Sequence, residues 1–368
     1  MTSSSSSSIK SLLSDKHPAK EKLLKALADC EEALSIHTTS AAYWQQRSYC
    51  LARLGRYQEA INSYQKTLVI AANDPKVWCN YGSTLVAAGH LREAVNAYDR
   101  ALDLAPVYTS VWRRRGHALY RMGEYARAIE SYDQALALEP TDDRLWYYKG
   151  LAVYHLNHID QARQYFNIAI DNNPNNQGAH FCLIYIFAKT RDYEAAIQHL
   201  EPLLNRGWTE PSLYHFYAYA LQQKGNFSQA LKQLKQAVCL APHQAQLWFH
   251  MGLISVRLKR YREAHDAFRE SLKYRADHTE SWLALGMTLR KLSSYEAAIA
   301  AFNKALAITP NHPLAFFHQA CCYAALGNQE WAIEHLRRAI VLDTATYLPK
   351  SQQEPVLSFS SKQLATMA

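Results

Sequence analysis

The side chains best suited to chemistry in this chain are histidines and cysteines that lie close together in sequence. His155 and His158 form a His-x-x-His pair at the end of a predicted helix, a spacing that can bring two imidazoles to one metal ion. His318 lies near the adjacent pair Cys321 and Cys322. No third ligand stands at a recognisable spacing from the histidine pair, and adjacent residues of a helix point to different sides. We therefore predict no metal site.

The sequence also lacks the signatures of catalysis. It contains no glycine-rich phosphate loop, no nucleophile elbow and no His-Glu-x-x-His sequence, and its carboxylates are scattered as on solvated helix faces. We predict that the chain is not an enzyme and needs no cofactor. The seven cysteines include no Cys-x-x-Cys pair, which favours small core residues in a reducing compartment over a disulfide framework.

Composition and charge favour a folded, helical, basic protein. Of 368 residues, 49% are hydrophobic and 20% are charged, and only 12 are glycine and 12 proline, which is few for a protein rich in turns. The net charge of +8 favours acidic partners. The serine tract over Met1–Lys10 lacks the apolar core of a secretory signal, and no segment is long and apolar enough to span a bilayer. We predict a cytoplasmic protein.

An internal repeat with a period of about 34 residues organises the chain. One position of the repeat is almost always aromatic: Trp44, Trp78, Trp112, Trp146, His180, Tyr214, Trp248, Trp282 and Phe316. A second is always alanine: Ala60, Ala94, Ala128, Ala162, Ala196, Ala230, Ala264, Ala298 and Ala332. A third is large and apolar: Tyr64, Tyr98, Tyr132, Phe166, Leu200, Leu234, Phe268, Phe302 and Leu336.

Each repeat has the pattern of a helical hairpin. Trp112, Arg115, Gly116 and Leu119 follow the spacing of one helix face, and a small residue at the position of Gly116 lets two helices approach closely. A glycine then ends the first helix in most repeats, and a proline often follows the second. A hairpin of this kind cannot bury its apolar face alone, so neighbouring hairpins must stack.

These residues resemble the tetratricopeptide repeat family, whose pattern of Trp, Leu-Gly, Tyr, Ala, Phe, Ala and Pro over about 34 residues they match. The resemblance implies an all-α, right-handed superhelical solenoid. We expect a disordered serine-rich N-terminus over 1–17, a half-repeat helix over 18–40 and a tail or cap over 345–368. Nine repeats lie between them: 41–74, 75–108, 109–142, 143–176, 177–210, 211–244, 245–278, 279–312 and 313–344.

Two regions depart from the pattern. The fifth repeat has His180 and Ile184 at the tryptophan and glycine positions, and Pro202 lies inside its second helix. A proline there costs about 3 kcal/mol unless the helix ends early or kinks, and we expect one of these, with Trp208 filling the gap. The tail carries prolines where a further helix would run, and we expect it to cap the last repeat, or to leave that end for a partner.

In the resembling family, positions 2, 5, 9, 12 and 13 of each repeat line the concave surface, and we call them the inner-face positions. Their charged residues are nearly all basic: Arg53, Lys76, Arg113, Arg121, Arg144, Lys189, Arg257, Arg290 and Lys291, against Glu280. Aromatic side chains interleave with these charges in the middle repeats. We therefore predict the following partner-binding residues: Arg113, Arg114, His117, Tyr120, Arg121, Arg144, Tyr147, Tyr148, Tyr154, Phe181, Tyr185, Lys189, His215 and Tyr219.

Two kinds of ligand fit a basic, aromatic surface. The first is a protein or peptide segment with acidic and apolar residues, held by a monomeric or weakly self-associating scaffold or adaptor in an assembly or chaperone-like role. The family's clamp for chaperone tails is incomplete here, because Gln45, Tyr49 and Ser110 stand where Lys, Asn and Lys are needed. The second is single-stranded nucleic acid such as RNA, for which no base-reading code is visible.

Overall fold

The computed structural model describes residues 17–357, and every regular element in that range is helical. It confirms the predicted all-α fold of consecutive helical hairpins. The predicted disorder at the N-terminus falls almost entirely outside the described residues. The chain divides into two compact units, residues 1–186 and 187–368, with the boundary inside one helix. None of the helices between residues 17 and 357 has the length and apolar character needed to cross a membrane.

The first unit begins with a long single helix and continues with pairs of shorter helices. Its helices are α1 (His17–Ile36), α2 (Ala41–Arg53), α3 (Tyr57–Ile70), α4 (Pro75–Ala88), α5 (Leu91–Leu104), α6 (Thr109–Arg121), α7 (Tyr125–Leu138), α8 (Asp143–His155), α9 (Ile159–Asn172) and most of α10 (Gln177–Thr190). From α2 to α19, even-numbered helices are the first helices of the hairpins and odd-numbered helices are the second.

The second unit continues the same alternation and ends with a short helix and a 3-10 turn. Its helices are α11 (Tyr193–Asn205), α12 (Pro211–Gln223), α13 (Phe227–Leu240), α14 (Ala245–Arg257), α15 (Tyr261–Tyr274), α16 (Thr279–Lys291), α17 (Tyr295–Ile308), α18 (Pro313–Ala325), α19 (Gln329–Leu342), α20 (Thr344–Gln353) and the 3-10 turn Pro355–Leu357.

Glycine lets the two helices of a hairpin pack at close range. A Cβ on Gly116 of α6 would lie 2.5 Å from Cε1 of Tyr132 on α7, whose ring is fully buried. The same arrangement recurs at Gly82, Gly150, Gly252 and Gly286, each of which faces a buried Tyr or Phe ring. Where the small residue is Ala320, the second helix carries the smaller Leu336. The small and large positions of the repeat are therefore complementary in volume.

In six of the first helices, an indole fixes the loop that precedes the helix. Nε1 of Trp112 donates a 2.8 Å hydrogen bond to the carbonyl oxygen of Pro106, six residues earlier. Five other tryptophans make the same bond: Trp44, Trp78, Trp146, Trp248 and Trp282. In the fifth repeat, His180 Nε2 lies 3.1 Å from the carbonyl oxygen of Pro174, so the imidazole takes the place of the indole.

The fifth repeat ends its second helix early. Helix α11 keeps Pro202 within it and stops at Asn205, one residue shorter than the second helices α9 and α13 on either side. Gly207, with φ of 88°, then turns the chain, and the amide of Trp208 donates to the carbonyl of Leu203 over 3.3 Å. The early helix end that the proline predicts is present, and the role of Trp208 stays a prediction.

The last hairpin is followed by a helix that includes a proline. Helix α20 contains Pro349 and starts from Asp343, whose carboxylate accepts a hydrogen bond from the Thr346 amide. Tyr347 of this helix is 6% exposed and Leu357 of the 3-10 turn is 2% exposed, and both join the apolar cluster of α18 and α19. Residues 344–357 therefore pack against the last hairpin, and the cap predicted over 345–368, part of which lies outside the described residues, stays a prediction.

Candidate functional site

The aromatic residues predicted to bind a partner enclose a pocket between the first helices α8 and α10 of the first unit. Its volume is about 300 Å³. Its lining side chains at inner-face positions are Tyr147, Leu151, Tyr154, His155, Phe181 and Tyr185. Gly178, Cys182 and Phe166 complete the wall. We call this the aromatic pocket.

Gly178 positions the ring that forms one side of the pocket. A Cβ at residue 178 would lie 2.7 Å from Cζ of Tyr147, so only glycine lets this ring lie against the backbone of α10. The Tyr147 hydroxyl and the Cys182 thiol are close enough to affect each other's pKa, so α8 and α10 approach each other here. Tyr147 packs against the buried Phe166 as well, at 6.1 Å between ring centroids.

The hydroxyl and the thiol on this side of the pocket are neutral at physiological pH. Burial raises the pKa of Tyr147 to about 12, with Cys182 adding to the effect. Burial also raises the pKa of the Cys182 thiol to about 11, although its interaction with Tyr147 opposes this. A mostly aromatic pocket with these neutral groups favours an uncharged apolar side chain as its ligand.

The lining residues Tyr154 and His155 are held in place by contacts with other rings. Tyr154 meets Tyr185 edge to face at 6.0 Å between centroids. His155 stacks on Tyr125 at 4.7 Å with an interplanar angle of 6°, and Tyr120 lies edge-on to the same imidazole at 5.5 Å. Ring contacts with Tyr120 and Tyr125 therefore fix the orientation of His155. Among residues 17–357, no group of three or more potential metal ligands occurs.

A second ring contact joins α6 to α8. His117 and Tyr148 lie 3.9 Å apart between centroids, edge to face, and both are half-buried. Burial, together with the charge of the nearby Arg113, lowers the pKa of His117 to about 4. These two predicted site residues thus help to join the helices, and they offer a ligand less surface than the pocket does.

The predicted arginines differ in their exposure and in their polar contacts within the chain. Arg113 is half-buried, with Nη1 3.5 Å from Oδ2 of Asp142. Arg144 is 68% exposed, and its Nε lies 3.8 Å from Oδ1 of the same aspartate. Arg114 is exposed and donates to Ser83 Oγ over 2.6 Å. Arg121 is exposed and its Nη1 lies 3.4 Å from the carbonyl oxygen of Val86.

Arg144 lies one helical turn before Tyr147 on the same face of α8. An exposed guanidinium therefore lies on the same face of α8 as the pocket residue Tyr147. Arg115, which adjoins Arg114 on α6, instead makes contacts that stabilise the fold. Its Nε lies 2.6 Å from Oδ1 of Asp99, and its Nη1 donates to Ser131 over 2.6 Å.

Three predicted residues lie in the second unit. Lys189 is exposed near the end of α10. His215 Nε2 lies 2.5 Å from His250 Nδ1, across α12 and α14. Burial lowers the pKa of both imidazoles, that of His250 to about 4. Tyr219 contacts Tyr193 edge to face at 5.8 Å between centroids.

The sequence did not predict Gly178, Cys182, Leu151 or Phe166 as parts of a site. Gly178 carried a usable signal, because a glycine in the first turn of a predicted helix calls for a packing reason. The other three are ordinary apolar residues whose contribution depends on how neighbouring helices pack.

Comparison with known families agrees with the repeat. Two models described as tetratricopeptide repeat match residues 82–142, 113–176 and 149–211 in one case and 41–74 in the other. A model described as the middle TPR-like domain of cilia and flagella-associated protein 70 matches residues 214–332. No curated protein matches the chain.

Solved structures with similar folds are distant in sequence. The C-terminal part of a TPR repeat-containing protein from Cytophaga hutchinsonii is 14% identical, with a TM-score of 0.56 over 65% of this chain and 98% of that one. A tetratricopeptide repeat protein from Parabacteroides merdae is 18% identical, with a TM-score of 0.46 over 68% and 98%. MamA from Desulfovibrio magneticus is 24% identical, with a TM-score of 0.42 over 45% and 93%.

Proposed function

Because the chain belongs to the tetratricopeptide repeat family, whose stacked hairpins serve as binding scaffolds, we propose that it holds a segment of a partner protein on the first helices α6, α8 and α10. The observation that carries the proposal is the aromatic pocket, with the exposed Arg144 on the same face of α8 as Tyr147. A partner segment with an apolar side chain and a nearby carboxylate would use both features. We place this binding in an assembly or chaperone-like role.

The aromatic pocket supplies the anchor for such a segment. A volume of about 300 Å³ is large enough for one bulky side chain, and burying a Leu or Phe there would contribute about 1.5–3 kcal/mol. Tyrosine and arginine are also the residue types that dominate binding hot spots, since they combine a large rigid contact area with a polar end.

The arginines would orient the bound segment and increase its rate of association. Arg114, Arg121 and Arg144 are all exposed, and they lie on first helices at or next to inner-face positions. Charges of one sign along such a surface attract an acidic segment and fix its register. The free thiols of the chain, most of them buried, favour a reducing compartment such as the cytoplasm for this interaction.

An affinity capture from native lysate, with and without nuclease, tests the proposal. The variant Arg114→Glu with Arg144→Glu is expected to lose the partner protein, because the charge that faces an acidic segment is reversed. The matched control is Arg92→Glu with Arg100→Glu, which makes the same change in net charge at exposed positions of the second helix α5 and should keep the partner.

Two results would count against the proposal. Equal recovery of the partner by both variants would show that the inner-face arginines do not bind it. Recovery of nucleic acid, with proteins lost after nuclease, would make the exposed aromatic rings stacking surfaces for single strands. In that case affinity should also fall steeply with salt.

A further inference from the structure

A second cavity, in the second unit, combines an apolar floor with basic side chains. It has a volume of about 270 Å³ and is lined by apolar residues of α14, α15 and α16, among them Leu253, Val256 and Phe268. Arg290, Lys291 and His318 also line it. We call this the C-terminal cavity.

Arg290 of this cavity already forms an ion pair with a carboxylate of the same chain. Arg290 Nη1 donates to Oε1 of Glu354 over 2.9 Å, and the two side chains are only 16% and 27% exposed. Three residues later, Leu357 is 2% exposed and packs with Phe317 and Tyr347. The segment from Glu354 to Leu357, which we call the resident segment, therefore contacts two first helices. Its acidic residue pairs with Arg290 of α16, and its apolar Leu357 packs with Phe317 of α18.

The resident segment does not fill the cavity and leaves a buried polar atom of its lining without a hydrogen bond. The cavity beside Arg290 remains open, and Leu357 packs against a different cluster, on α18 and α19. His318 is 9% exposed, and its Nδ1 has no hydrogen-bond partner within the part of the chain that the structure describes. An unpartnered, buried ring nitrogen is costly.

We propose that the C-terminal cavity binds a partner peptide with a carboxylate next to a bulky apolar side chain, and that Glu354 holds the carboxylate position until such a peptide displaces it. The peptide's carboxylate pairs with Arg290, and its apolar side chain fills the space lined by Leu253, Val256 and Phe268. A peptide that makes both contacts competes with a resident segment that makes only the first. This site is separate from the aromatic pocket and does not depend on the function proposed there.

Fluorescence anisotropy on the full chain tests the proposal with two labelled probes, a peptide containing Asp-Glu-Phe-Leu and its amide counterpart containing Asn-Gln-Phe-Leu. The variant Glu354→Gln should bind the acidic probe at least tenfold more tightly than the natural chain, because Arg290 loses its internal carboxylate. The amide probe should show no such gain. The matched control is Glu334→Gln, which makes the same change in charge by freeing Arg338 from a more exposed pair on α19 and should leave the affinity unchanged.

Two further variants keep the outcome decisive. Adding Arg290→Gln to Glu354→Gln should remove the tenfold gain. Leu253→Glu should weaken binding by a similar factor, and because Leu253 is 38% exposed this variant is expected to fold. Equal affinity of Glu354→Gln and the natural chain, or no effect of Leu253→Glu, would overturn the proposal. Dimerisation of Glu354→Gln in sedimentation would overturn it in favour of a second copy of this chain as the occupant.

Discussion

At the scale of single residues, the aromatic pocket depends on groups that burial keeps uncharged. Tyr147 and Cys182 have raised pKa values, so neither carries charge near neutral pH. His117, which contacts Tyr148 outside the pocket, has a lowered pKa and is neutral as well. The charge of the candidate site comes from arginines whose guanidinium groups stay in water. One surface can therefore present both an apolar pocket and positive charges that attract an acidic segment.

The buried histidines make the chain sensitive to acid. The pKa of His117 and of His250 is lowered to about 4 by burial, against an ordinary value near 6.5. Between those values the unfolded chain binds more protons than the folded chain, so stability that is present above about pH 6.5 falls as the pH drops toward 4. Urea denaturation at pH 7 and pH 5 should show a lower midpoint at pH 5.

The variant His117→Gln is the check on this assignment. It removes one titrating group and should reduce the difference between the two midpoints, whatever it does to stability at pH 7. A midpoint that is the same at pH 7 and pH 5 for the natural chain would contradict the lowered pKa values.

At the scale of the element, the turn between the two helices of a hairpin uses one residue in the left-handed conformation. Glycine fills this position in five repeats: Gly55, Gly89, Gly123, Gly225 and Gly327. In the other four repeats the residue has a side chain and still has φ between 58° and 65°: Asn157, Arg191, Lys259 and Ser293. Asparagine tolerates this conformation, whereas lysine and serine are strained in it.

The strain predicts that glycine would stabilise these turns. Lys259→Gly or Ser293→Gly should raise the free energy of unfolding by about 0.5–1 kcal/mol, the relief of left-handed strain less the extra entropy of glycine in the unfolded chain. Asn157→Gly is the matched control and should change it little. Urea denaturation of the three variants measures the effect, and a lower midpoint for Lys259→Gly would show that the turn is not strained.

At the scale of the whole molecule, each unit is built from contacts between helices that are near neighbours in the chain. Helices pack mainly on the next helix along, and first helices also touch first helices, as α16 touches α18. Stability in such a chain is a sum of local terms, so a perturbation acts close to where it is made.

Helix α20, which packs against the last hairpin, provides a test of this locality. Tyr347→Ala removes a ring that is 6% exposed and lies 5.3 Å from the ring of Phe317. The lost burial should increase amide hydrogen exchange in α18, α19 and α20 and leave exchange in α2 to α6 unchanged. A uniform increase along the chain would show that the molecule unfolds as one cooperative body.

The sequence predicts the hairpins well because their determinants recur in every repeat. The small residue that faces a large one and the residue at the turn each act within a single hairpin, and the tryptophan acts on the loop that joins its hairpin to the one before. The aromatic pocket depends instead on contacts between hairpins, where Gly178 of α10 receives the Tyr147 ring of α8. Helix α20 also escaped prediction, because it forms through burial of Tyr347 despite Pro349.

The central claim is that a partner segment lies on the first helices α6, α8 and α10. Hydrogen–deuterium exchange of the chain, alone and with the partner recovered by affinity capture, measures this most directly. We expect the partner to slow exchange in peptides from α8 and α10 around Tyr147 and Tyr185, with smaller changes in α6. Slowed exchange confined to the second helices α5, α7 and α9 would contradict the claim and place the partner on the other side of the hairpins.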